Sequence, residues 1–217
     1  MKAAKRPKDS WLIEIEKTAL VVIDMQRAFT DEGAPLKCVG AKELVPKINH
    51  LATACRKLTI PVIFVKADRR ANLSDSGLIL DFGYYRQKDE MEPRQGRKGN
   101  EFCDGLNITE DDYIVPKIRY SAFIPGSSSL EPLLRGLGRD RFMICGVLTD
   151  LCVGTTTADA MMLGFKVFFV GDLTATFSKE RQKIALEVYN MHFAKVMTFD
   201  QIMDELKQLT KEKKFKL

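Results

Sequence analysis

Short apolar runs rich in β-branched residues alternate along this chain with longer stretches of helical period, and no other feature constrains the fold as strongly. The runs are TALVVID (18–24), PVIFVKA (61–67), DYIVPK (112–117), RFMICGV (141–147), KVFFVGD (166–172) and KVMTF (195–199). Most are apolar at successive positions. Because strand side chains point alternately to opposite faces, both faces of these strands must be covered. The segments 39–58, 129–137, 150–163, 179–192 and 199–209 read as helices, with Gly138 and Gly164 as stop signals. Strands separated by such helices join in parallel through crossovers. The expectation is an α/β fold: a three-layer, doubly wound, six-stranded parallel sheet, Rossmann-like in plan, within a single domain spanning 1–217.

The segment 68–111 exceeds a plain strand-to-helix connection. Polar, glycine-bearing and dotted with aromatics, it reads as a lid or a subunit-contact insertion. The net charge of +5 invites an acidic partner, but its location argues otherwise. Lys2, Lys5, Arg6 and Lys8 face only Asp9 at one end, and five lysines face only Glu212 over 207–217. The body, 11–206, is left at −2. The stretches 1–10 and 208–217 are therefore expected to be solvated basic tails, and nucleic acid is not the expected partner.

Cys38, Cys55, Cys103, Cys145 and Cys152 are odd in number and lack zinc-ligand spacing, which suits a reducing compartment. No 18-residue apolar run and no secretory signal pattern occur, so the expectation is a cytoplasmic protein without a membrane partner. Only His50 and His192 are present, which argues against a histidine-rich metal site and a serine-histidine triad.

In open parallel sheets, ligands bind beyond the carboxyl ends of the strands. The first run ends in Asp24, the third in Lys117, and the fourth leads through GVLTD to Cys152. Each alone has an ordinary reading: a turn-forming aspartate, a surface lysine, a small buried thiol. Together on one rim they would supply a base, a cation and a nucleophile without histidine. A helix N-terminus and a lysine beside Cys152 would favour its thiolate, predicting alkylation below the pH at which an ordinary thiol reacts.

On VVIDMQRAF (21–29), PKIRYSAF (116–123), GRDRFMICGVLTDLCVGTTTADAM (138–161) and FFVGDLTATFS (168–178), the chain resembles the isochorismatase-like cysteine hydrolases, which include nicotinamidases, N-carbamoylsarcosine and ureidoacrylate amidohydrolases, and isochorismatases. The resemblance implies that fold, an Asp24, Lys117, Cys152 triad, and a cis peptide between Val147 and Leu148. It also implies an oxyanion hole from the amides of Leu148 and Cys152, a small-molecule substrate and a homodimer or homotetramer. The nicotinamidase metal pattern, Asp-x-His with a further histidine, is replaced here by VKADRRANLSD (65–75), so no metal or other cofactor is expected and nicotinamide is disfavoured. Two chemistries stay open. KIRYSAF and GRD look like isochorismatases, which cleave a vinyl ether with the aspartate as acid. GVLTDLCV keeps the nucleophile and has Leu148 where that branch carries an aromatic, favouring hydrolysis of a small amide, ureide or carbamoyl compound. A non-catalytic binding protein on the same fold is the minor alternative. Arg69, Arg70, Arg86 and Arg119 are candidates to hold a substrate carboxylate, and Phe29 and Tyr120 to wall the pocket.

Overall fold

The computed structural model describes residues 6–82 and 91–215, with side chains up to 211. Its strands are β1 (Thr18–Ile23), β2 (Val62–Ala67), β3 (Tyr113–Lys117), β4 (Arg141–Val147), β5 (Lys166–Ala175) and β6 (Lys195–Met197). They form one parallel sheet in the order β3-β2-β1-β4-β5-β6. The helices are α1 (Arg27–Thr30), α2 (Val45–Lys57), α3 (Leu130–Gly136), α4 (Cys152–Met162), α5 (Lys179–His192) and α6 (Phe199–Phe215).

Alternation along the central strands builds two cores. Leu20 and Val22 of β1 with Phe64, Met143, Phe168 and Val170 pack against Ile48 and Leu51 of α2 and Ile202 and Leu206 of α6. Ala19, Val21 and Ile23 with Ile63, Val65, Phe142, Ile144 and Phe169 pack against Leu130 and Leu134 of α3 and Val153 and Ala160 of α4. This two-sided burial is why β1 after Thr18 and β4 after Arg141 carry no polar side chain.

The strand order reverses between β1 and β4, which leaves a crevice at their carboxyl ends. There Gly146 adopts φ +107°, and a Cβ on it would lie 2.1 Å from the Ile23 carbonyl oxygen. Only glycine permits so close an approach. On the helical layer, a Cβ on Gly154 would lie 2.0 Å from the Tyr189 hydroxyl, so glycine also sets how closely α4 meets α5.

Several boundaries depart from the sequence expectation. β5 runs on to Ala175, because its pairing with β4 shifts between Ile144 and Gly146 and resumes at Thr174 and Ala175. α2 starts only at Val45, with Pro46 in its first turn, where a missing N–H costs nothing. Within the basic ends, the described residues 6–10 and 208–215 carry local structure. Pro7–Ser10 forms a 3-10 turn whose Lys8 donates to Asn190 Oδ1 at 2.7 Å and to the Ala194 carbonyl at 2.5 Å. α6 continues to Phe215, through a stretch of lysine and glutamate that favours helix. The 68–111 segment carries 3-10 turns at Gly77–Phe82 and Lys98–Asn100 and is bridged to the body between Gln26 and Phe102. Among the described residues, no helix is long and apolar enough to cross a membrane.

Candidate active site

Asp24 follows β1 directly and sits at φ +51°, a left-handed conformation that aspartate tolerates better than most residues. Its amide donates to the Val65 carbonyl at 2.8 Å, and its own carbonyl accepts from Gln26 N at 2.7 Å. The turn takes the Asp24 side chain out of the strand's alternation. Gln26, fully buried, then ties β2 to the following loop: its Nε2 donates to the carbonyls of Ala67 and Asn100 at 2.9 Å each, and its Oε1 accepts from Ala67 N at 2.8 Å.

Lys117 ends β3, two strands away from β1, a span of about 9–10 Å. Its long stem crosses that gap: Nζ lies 2.9 Å from Asp24 Oδ2 and donates to the Arg119 carbonyl at 3.0 Å. Both side chains are completely buried. A buried pair of this kind is held because either charge alone would be far more costly.

Cys152 opens α4 and is 3% exposed. Its thiol lies within electrostatic reach of Lys117, Asp24 and Arg69. Burial pushes the thiol up to about 12; Lys117 and Arg69 oppose this, while the Asp24 charge and its acceptance of the thiol proton reinforce it. This corrects the sequence expectation of a ready-made thiolate. Desolvation outweighs the nearby cations, so the resting group is a neutral thiol beside the carboxylate.

The loop between β4 and α4 is fixed from several sides. The Val147–Leu148 peptide is cis. The Leu148 carbonyl accepts from Leu151 N at 3.1 Å and Val153 N at 3.0 Å. Thr149 N donates to the Ala175 carbonyl at 3.0 Å, and Thr149 Oγ1 donates to Gln182 Oε1 at 2.6 Å. Gln182 Nε2 in turn donates to the carbonyls of Gly171 and Thr174 at 3.1 Å. Asp150 accepts from Thr176 Oγ1 and, at 2.6 Å, from Arg181 Nε. The Cys152 carbonyl accepts from Thr156 Oγ1 at 2.6 Å, which itself accepts from Ala122 N at 3.1 Å.

Beside this loop lies a cavity of about 280 Å³ lined by Phe29, Leu36, Phe82, Tyr120, Leu148, Leu151, Phe177 and Arg181. Phe29 and Tyr120 are part of its lining. Arg119 is not: its Nη1 donates to the carbonyls of Asp75 and Ile118, so the side chain secures the 75–77 turn. Arg69 is fully buried, and Arg70 N donates to the Asp75 carboxylate at 3.1 Å. Arg86 lies outside the described residues. Asp68 accepts from Asn100 Nδ2 at 3.0 Å. Among the described residues, no group of three or more His, Cys, Asp or Glu is arranged to hold a metal ion. A larger cleft, about 570 Å³, lies at the ends of β5 and β6; the described lining of neither cavity includes Asp24, Lys117 or Cys152, and only the smaller one touches the 148–151 turn that leads into Cys152.

Sequence reading missed Gln182, Arg181, Leu36 and Phe177. DLTATFS (172–178) marked the stretch holding Phe177, but nothing in it showed which side chain faces the cavity.

The site is thus a buried acid, lysine and thiol at the switch point of a doubly wound parallel sheet, where such sheets bind ligands. The family model described as the isochorismatase domain matches residues 18–201, and the chain belongs to this family of hydrolases. It is 31% identical over 210 residues to an isochorismatase of Bacillus subtilis (strain 168), covering 92% of this chain but spanning only 61% of that relative's length. It is 30% identical to Nicotinamidase 3 of Arabidopsis thaliana, covering 87% of this chain and 88% of the relative. The solved cysteine hydrolase from Pseudomonas syringae pv. phaseolicola 1448A superposes with a TM-score of 0.86 at 26% identity, covering 94% of this chain and 99% of that one.

Proposed function

We propose that this protein hydrolyses a C–N bond in a small amide, ureide or carbamoyl compound through a thioester on Cys152. The observation that carries the reading is the convergence on one buried thiol of a carboxylate able to take its proton and a lysine paired to that carboxylate at 2.9 Å.

Because the resting thiol is neutral, its proton passes to Asp24 as Sγ attacks the carbonyl carbon. The S–C bond forms and the carbonyl oxygen becomes an oxyanion. The amides of Leu148 and Cys152 receive it; among the described residues neither makes a backbone hydrogen bond. Collapse of the intermediate breaks the C–N bond, and Asp24 returns the proton to the departing nitrogen. Water then attacks the thioester, giving its proton to Asp24, from which it returns to Sγ as the acid leaves. Lys117 keeps Asp24 oriented and its charge compensated throughout.

A second reading draws support from the isochorismatase relative: vinyl-ether hydrolysis, with Asp24 as proton donor and no role for Cys152. A screen of amides, ureides and isochorismate with wild type, Cys152→Ala and Asp24→Asn separates them. The amidase reading expects turnover of amides or ureides that both variants abolish. Isochorismate turnover that survives Cys152→Ala and is lost in Asp24→Asn would overturn it.

A further inference from the structure

Asp150 stands in the middle of the 148–152 turn, next to the start of α4. An aspartate at such a place ordinarily lays its carboxylate on the free amides of its own helix. α4 has Leu151 at that boundary and, among the described residues, no side-chain cap. The Asp150 carboxylate reaches instead to the end of β5 and the first turn of α5. Its Oδ1 accepts from Thr176 Oγ1, and its Oδ2 accepts from Arg181 Nε at 2.6 Å, with Nη2 against the same oxygen. Thr149, its neighbour, is tied to the same stretch through the Ala175 carbonyl and Gln182.

The turn is short and closed on itself, since the Leu148 carbonyl accepts from both Leu151 N and Val153 N. A shift of residue 150 is therefore carried to Leu148 on one side and Cys152 on the other. As a source of stability the ion pair is weak, because the Arg181 side chain is 43% exposed and pairs open to water contribute little to folding. As a source of orientation it is strong: guanidinium–carboxylate bonds are directional, and this guanidinium is backed by the Phe177 ring, 5.1 Å from its centroid. Rates respond steeply to placement, and a displacement of about 1 Å can cost ~100-fold.

Resting on the amidase reading above, we infer that Asp150 is a positioning residue: paired with Arg181, it holds the turn so that the Cys152 thiol and the amides of Leu148 and Cys152 face one reacting carbonyl. It acts through the turn and not on the substrate. Because Arg181 belongs to α5, the pair also makes the placement of the nucleophile depend on how that helix docks.

The test is a double-mutant cycle on the full chain, with Asp150→Asn, Arg181→Met and the two combined, and it has two readouts. The first is turnover of a small amide that the wild type hydrolyses. Asp150→Asn is expected to lower kcat about 10–100-fold, with KM within about twofold and the urea midpoint within ~0.5 M of wild type. The double variant should be no worse than either single one. Arg181 also lines the smaller cavity, so the split between kcat and KM is read in Asp150→Asn alone. The second readout needs no substrate. Loosening the turn admits reagent and water to the buried Cys152, so iodoacetamide should label it several-fold faster in each variant, while the wholly buried Cys55 and Cys145 keep the wild-type rate. Slower turnover with faster local labelling marks lost placement. Unchanged kcat with a lowered midpoint, multiplicative effects of the two substitutions on kcat, or Cys152 labelling that rises only in step with Cys55 and Cys145 would overturn the inference. If the wild type hydrolyses no amide and carries no acyl group, the amidase reading falls, and the labelling pattern alone then decides whether Asp150 positions the thiol.

Discussion

Replacing Lys117 by methionine removes one charge from a pair with no contact with solvent and leaves Asp24 buried without its counter-ion. At the observed 2.9 Å and an effective dielectric of ~20, the attraction is about 6 kcal/mol. Desolvation offsets part of this, and breaking a buried pair typically costs about 3–5 kcal/mol in net stability. With a urea m-value of ~2–3 kcal/mol/M, the midpoint for Lys117→Met should fall by about 1–2 M. Adding Asp24→Asn removes the stranded charge, so the double variant should recover most of that loss. Activity separates from stability here: both Lys117→Met and the double variant should be inactive, the first because an unpaired buried carboxylate takes up a proton and ceases to be a base, the second because it has no carboxylate. Urea unfolding of the four proteins, each at matched pH, provides the cycle. A Lys117→Met midpoint within about 0.3 M of wild type, or strictly additive effects, would refute the claim that the two side chains form one electrostatic unit.

Three further outcomes follow from the same contacts. Since burial raises the Cys152 thiol from 9.0 to about 12, the resting enzyme should hold roughly a thousandfold less thiolate at pH 8 than an ordinary thiol, and iodoacetamide should label Cys152 slowly; rapid stoichiometric labelling near pH 7 would contradict the neutral-thiol account. The folded state keeps that thiol protonated, so its contribution to stability is full below pH about 9 and lost as pH rises toward 12, with Cys55 and Cys145, raised in the same direction by burial, adding to the loss. The urea midpoint should therefore fall above pH 9, less steeply in Cys145→Ala; a pH-independent midpoint between 9 and 11 would argue against it. Gln182→Ala removes the acceptor of Thr149 and should lower kcat about 10–100-fold with a smaller change in KM, because the loop bearing the oxyanion donors is no longer fixed. Gln182→Glu, which keeps the acceptor, should recover part of that loss, and a stability defect with unchanged kcat would assign Gln182 to folding alone.

The sheet was legible because its central strands are buried on both faces, which leaves β1 after Thr18 and β4 after Arg141 without a polar side chain. α5 was found at its true bounds because Ser178 caps its start by accepting from Arg181 N, a signal local in sequence. Where long-range geometry decides, sequence reading gave less. The re-pairing of β5 after a register shift depends on how β4 bends around Gly146, and no period records that. Asp24, Lys117 and Cys152 could be picked out because each closes a strand or opens a helix at the same rim. Arg119 could not be sorted from a ligand-binding arginine, because whether a guanidinium meets a substrate or the Asp75 carbonyl is settled by a turn 44 residues away. The thiol was misjudged for a related reason: the neighbouring cation was visible in the sequence, but the extent of burial that outweighs it was not.

The central claim is that Cys152 becomes covalently acylated. Intact-mass measurement of the enzyme, acid-quenched during turnover of a small amide, tests it directly. The account predicts a mass increase equal to the acyl group, mapped to the Cys152 peptide, absent from Cys152→Ala and from Asp24→Asn. Sustained turnover with no adduct at any quench time, and unchanged in Cys152→Ala, would contradict it.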